Sequence, residues 1–135
     1  MALWQAKRRG AALPRWKDFD FADFTGWHRN LALSDLPPGK ADPCFRIFGS
    51  GATELMGGDL TGKRLSEVVP DAEADGVLEH FAALRDERLI GYLVGNVVRP
   101  GHGHRVFMII ELPLENECGD VTQILHAFQA AGRTE

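Results

Sequence analysis

The sequence predicts an α+β domain: a five-stranded antiparallel sheet with short helices on one face and a further helix at its N-terminus. Three observations lead there. Residues 71–87 keep the apolar side chains Ala74, Val77, Leu78, Phe81 and Leu84 at helical spacing. Two short strand patterns precede that helix and three longer ones follow it, separated by turns rich in Gly, Pro, Asn and Asp. The connections are short, so neighbouring strands should pair antiparallel with the helices gathered on one side.

In chain order, residues 2–9 are good helix formers and Gly10 can close the helix. Residues 10–20 form a connecting loop around Pro14, and 21–30 a short helix with Asp20 as N-cap. Leu31-Ala32-Leu33-Ser34-Asp35 is the first strand, stopped by Pro37-Pro38-Gly39, and Cys44-Phe45-Arg46-Ile47-Phe48 is the second. Ser50 is placed to cap a helix through Met56 that ends at Gly57-Gly58; 65–69 gives one turn before Pro70; Asp71 is placed to cap the long helix. The remaining strands are expected over 90–98, 104–114 and 121–128. The organisation is therefore a helix and connecting segment over 1–30, a core over 31–129 and a tail over 130–135.

The fourth strand is apolar on both faces, with Val106, Met108, Ile110 and Leu112 on one and Phe107 and Ile109 on the other. A sheet with one wet face alternates more cleanly. Something should cover the second face, either the N-terminal helix or a partner subunit.

Composition narrows the class. The 135 residues suit one domain, and 44% hydrophobic with 25% charged residues is ordinary for a globular chain. The formal charge of −4 gives no basic footprint for nucleic acid, and Lys7-Arg8-Arg9 reads as a solvated helix end. Cys44 and Cys118 form no CxxC pair, so neither a zinc site nor a disulfide framework is expected. Met1 to Arg9 lacks the apolar core of a secretory signal. No apolar run reaches the roughly 20 residues of a membrane helix, so a cytoplasmic protein is expected.

Several motifs taken in order resemble a subfamily of short, mostly alphaproteobacterial PAS proteins. They are Trp4; Leu13-Pro14-Arg15 followed by Asp18 and Asp20; Leu31 to Asp35; Phe45-Arg46-Ile47-Phe48-Gly49; Gly58 to Lys63 (Gly-Asp-Leu-Thr-Gly-Lys); and Pro113-Leu114. The resemblance spans about residues 4–127. It implies a PAS fold and a non-catalytic sensory or protein-interaction module, and it implies no particular ligand. No output domain is apparent within these residues, so a signalling partner is expected to carry the output.

Candidate chemistry is sparse. Cys44 before Phe45-Arg46 resembles the reactive cysteine of the flavin-binding light-oxygen-voltage members of the PAS family. It stands at a strand start after Ala41-Asp42-Pro43, outside their motif, and flavin is not expected. His80 lies roughly where haem-binding members carry an axial histidine, but at the edge of the helix's apolar face, and haem is not expected. His102 and His104 share a strand face with no third ligand evident. No Gly-x-Ser-x-Gly elbow, P-loop or dinucleotide fingerprint occurs. Asp71, Glu73 and Asp75 suit the first turn of a helix, where the dipole favours negative charge.

Arg46 is the most informative polar residue. It either pairs with Asp35 on the adjacent strand or anchors an anionic ligand. A ligand pocket is accordingly expected at Arg46, Phe48, Leu78, Phe81, Met108 and Ile110, for a small apolar molecule between sheet and long helix. A homodimer is expected through Leu3, Trp4, Phe107 and Ile109. A ligand-free dimerisation module and a small α+β enzyme are the alternatives.

Overall fold

The computed structural model describes residues 2–8, 12–99 and 103–134. Five antiparallel strands form one sheet in the order β2-β1-β5-β4-β3, with β1 Leu31–Asp35, β2 Cys44–Phe48, β3 Gly91–Arg99, β4 Gly103–Glu115 and β5 Val121–Thr134. Helix α1 is Ala2–Ala6, and between β2 and β3 come α2 Ser50–Met56, α3 Leu65–Val68 and α4 Asp71–Glu87. Elements, order and pairing follow the sequence reading, with local differences. The helix expected over 2–9 is shorter, because only the turn that seats Trp4 against the sheet is held. The stretch 21–30 forms two 3-10 turns, Phe21–Phe24 and His28–Asn30. The caps of α2 and α4 are Gly49 and Pro70, one residue before the expected Ser50 and Asp71. Strand β5 continues through the expected tail, where Ala130 and Gly132 pair with Phe107 and Val106.

The double apolarity of β4 has a direct explanation. The helices cover one sheet face and the N-terminal segment covers part of the other, with Trp4, Leu13 and Phe24 clustered on Leu33, Leu112, Leu114 and Leu125. Trp16, Phe19 and Phe24 stack beside them, with Phe19 and Phe24 centroids 5.4 Å apart. Pro113 shows why this segment belongs there. The β3–β4 ladder begins at the Gly91–Glu111 pair, so residue 113 has no β3 neighbour to which it would owe an N–H. The N-terminal segment takes that edge instead: Trp4 Nε1–H donates to the Pro113 carbonyl at 3.1 Å, and the Glu115 N–H donates to the Pro14 carbonyl at 3.0 Å.

The Gly58–Lys63 block is a turn docked on β2. Asp59 Oδ1 accepts from the Thr61 N–H and hydroxyl, Gly62 takes φ +82°, and its N–H donates to the Phe45 carbonyl at 2.7 Å. That carries α3 and α4 over the inner face.

Candidate functional site

On the inner face, cross-strand pairing brings Ile109 opposite Phe128 and Glu111 opposite His126, with Ala32 beside His126. Between this face and α2–α4 lies a cavity of about 210 Å³, lined by Phe45, Leu65, Phe107 and Phe128 and, on its polar wall, Glu111 and His126.

That wall is a buried chain of polar groups. Glu111 is 1% exposed. Its Oε1 accepts from His80 Nε2–H at 2.6 Å, and its Oε2 accepts from His126 Nδ1–H at 3.2 Å. On the other side of the ring, His126 Nε2 lies 2.8 Å from the Ser34 hydroxyl, in hydrogen-bond contact. Burial pushes the Glu111 carboxyl up, but the hydrogen bonds from His126 and His80 outweigh it and hold the group below its ordinary value. The Phe81 ring packs against both imidazoles, with centroids 5.0 Å from His80 and 6.0 Å from His126. Gly91 makes room for the carboxylate: a Cβ there would lie 3.1 Å from Glu111 Oε1 and 3.0 Å from both Leu84 methyls.

Ser34–His126–Glu111 has the connectivity of a serine hydrolase triad but not its surroundings. Ser34 is fully buried on β1 and paired on both sides, so no acyl group reaches its hydroxyl. The arrangement can hold charge and hydrogen-bond a ligand.

The expected pocket residues are divided. Phe81 is buried beside the network, whereas Leu78 is half-buried and lines no part of the cavity. The facing of β4 is the reverse of that expected. Phe107 and Ile109 cluster with Phe45, Phe128, Ala52 and Leu55 on the helix side, while Ile110 lies with Leu3 and Trp4 on the outer side. Met108, two residues along, shares the outer face. Periodicity fixes which residues share a face and leaves open which face is inner. Phe107 and Ile109 are thus core rather than interface, and Trp4, 2% exposed, is spent within its own protomer; Leu3 stays half-buried.

In β2, pairing slips between Leu33 and Ser34, which makes Arg46 the extra residue of a bulge. Phe45 and Phe48 therefore both turn inward, in a T-shaped contact at 5.1 Å. Arg46 turns to solvent and donates from Nε and Nη2 to Asp35 Oδ2 at 3.0 and 2.8 Å, the pair that the strand order suggested. It does not line the cavity.

Cys44 pairs opposite Asp35, away from the cavity lining, and His80 has its Nε2 engaged by Glu111. His102 and the side chain of His104 lie outside the described residues. Among the described residues no cluster of three His, Cys, Asp or Glu is placed to hold a metal, and no helix is long and apolar enough to cross a membrane.

A larger concavity, about 630 Å³, is an open cleft beside the β4–β5 hairpin. Its arginines are used structurally, Arg85 on the Pro37 and Gly39 carbonyls and Arg88 on the Gly119 carbonyl and Glu115.

The strand order and inner-face helices are those of a sensory fold, and the chain belongs to the PAS domain family, whose profile matches residues 1–129. Among solved structures, the PAS domain of BvgS from Bordetella pertussis is similar with TM-score 0.60 and 15% identity, covering 80% of this chain and 80% of that one. The PAS domain of the fruit-fly ELK potassium channel gives 0.58 and 16%, covering 85% and 100%. A sensory box sensor histidine kinase from Vibrio cholerae gives 0.54 and 11%, covering 77% and 82%. No curated protein matches the sequence. The fold is the one that the motifs implied, and it is typical of sensory and signal-transduction modules.

Proposed function

We propose that this chain is a cytoplasmic, non-catalytic sensory module that holds a small, largely apolar ligand between the sheet and α2–α4. It passes the signal to a partner through protein contacts, as a homodimer. The cavity carries this reading: a mostly apolar concavity with convergent polar groups on one wall is the usual form of a small-molecule site. The non-catalytic part is supported by a network whose only hydroxyl is inaccessible. Native mass spectrometry of freshly purified chain, set against the denatured mass, tests the ligand and the dimer together. A dimer carrying an adduct that is lost on denaturation is expected.

A second reading, a ligand-free dimerisation module, has its own observation. Tyr92 and Val94 on β3 are 56% and 60% exposed, beside Ile110 and Met108 on the sheet's outer face. A bare dimer in every preparation, with no thermal shift from a library of small apolar compounds, would leave this reading in place of the first.

A further inference from the structure

The sign of the charge around the cavity narrows what enters it. Glu73, Val77 and Leu93 line both the cavity and an adjoining open depression of about 310 Å³ that carries His80, so the approach from solvent runs between α4 and β3 past Glu73. Among the described residues neither space has a lysine or arginine in its lining; the ionisable groups there are Glu73, Glu111, His80 and His126. The anionic group of the network is the Glu111 carboxylate. Each of its oxygens receives one hydrogen bond from an imidazole, and each has a further lone pair. An apolar ligand leaves those lone pairs unused, and a carboxylate ligand is repelled twice, at the mouth and at the wall. A protonated amine supplies both donors and the opposite charge, and Phe45, Phe107 and Phe128 line the cavity as aromatic neighbours for a cation.

We infer that the cavity selects small primary amines, an apolar body with one ammonium group directed at the Glu111 carboxylate. The inference rests on the reading of this cavity as the ligand site, and its test separates the two. Calorimetry on the full chain at neutral pH would compare 2-phenylethylamine with 2-phenylethanol, propylbenzene and phenylacetate. The amine should bind at least tenfold more tightly than the alcohol or the hydrocarbon, with no measurable binding of phenylacetate. Glu111→Gln should weaken the amine about tenfold and leave propylbenzene unchanged. Glu73→Gln lies at the exposed mouth and leaves packing alone; it should slow amine association and reduce its salt dependence, which keeps the inference testable if Glu111→Gln does not fold. Equal binding of amine and propylbenzene would keep the ligand cavity and overturn the amine. Tightest binding by phenylacetate would reverse the charge assignment and overturn it too. Silence from every probe would remove the cavity reading and the amine with it.

Discussion

The two faces of the sheet are closed in opposite ways. On the outer face the N-terminal segment lays Trp4, Leu13 and Phe24 on Leu33, Leu112, Leu114 and Leu125, and its polar contacts satisfy backbone at the end of β4. On the inner face the helices leave a space, and its wall holds a buried carboxylate, two imidazoles and a hydroxyl. Buried ionic groups are weak contributors to stability, and apolar replacements of similar volume are often neutral or better. The outer face is what packing alone produces. The inner face has a feature that packing does not require, and this is the ground for proposing the ligand site there.

The contrast is broken most forcefully by truncating the aromatic anchors. Trp4→Ala on the outer face and Phe81→Ala on the inner should each cost ~3–5 kcal/mol, the usual range for a buried aromatic. His80→Ala removes one hydrogen bond from a side chain that is 27% exposed and should cost less, ~1–3 kcal/mol, chiefly by leaving Glu111 Oε1 without its donor. Urea midpoints for the three variants check this. Equal midpoints for Phe81→Ala and His80→Ala would mean that the network, not the ring packed on it, holds α4 to the sheet.

The outer face was more legible in the sequence than the inner. The apolar residues on both sides of β4 show that a cover is needed, from the N-terminal helix or a partner subunit; Leu3 and Trp4 mark that helix as a candidate, while the part played by Leu13 and Phe24 is not marked. The long helix with Phe81 at its centre follows from spacing alone. The site does not. Ser34, His126 and Glu111 meet only through the register of three strands, and His80 joins them only once α4 has docked. Their one sequence signal is that Glu111 and His126 each follow a pair of large apolar residues, Ile109-Ile110 and Ile124-Leu125, which marks neither as a partner of the other. The bulge at Arg46 is a slip of one residue with no mark in Cys44 to Phe48, and it decides which of those side chains face inward.

Acid titration sharpens the difference between the faces with a smaller effect. The folded state holds the Glu111 carboxyl below its ordinary value of 4.5, so the folded chain keeps it ionised where the unfolded chain has begun to take up a proton. Its contribution to stability is complete above about pH 4.5 and is lost as pH falls through the lowered folded value. Wild type should therefore lose urea resistance below that point more steeply than Glu111→Gln. The carboxylates Asp23, Asp59 and Asp86, all outside the network, are also lowered, but they act in both proteins and cancel in the difference. Parallel acid limbs for the two would show that the imidazole hydrogen bonds do not favour the ionised carboxylate.

The smallest effect on stability falls on the part of the outer face that the N-terminal segment leaves open. Tyr92 and Val94 stand on edge strand β3 on the same face as Met108 and Ile110, and the Tyr92 hydroxyl lies 3.0 Å from Met108 Sδ. In a lone protomer Val94→Asp changes an exposed side chain and should shift stability by no more than ~0.5 kcal/mol. If two copies bury this strip, the same change places two carboxylates inside an apolar contact and should raise the dissociation constant at least tenfold. Trp4→Ala would act the other way round, lowering stability through the fold and affecting the dimer only through that loss. Sedimentation velocity over a concentration series, run beside urea titrations, separates the two variants. A wild type that stays monomeric at high micromolar concentration removes the dimer. A dimer that tolerates Val94→Asp moves the contact off this strip and leaves the exposed apolar side chains of β3 for the signalling partner.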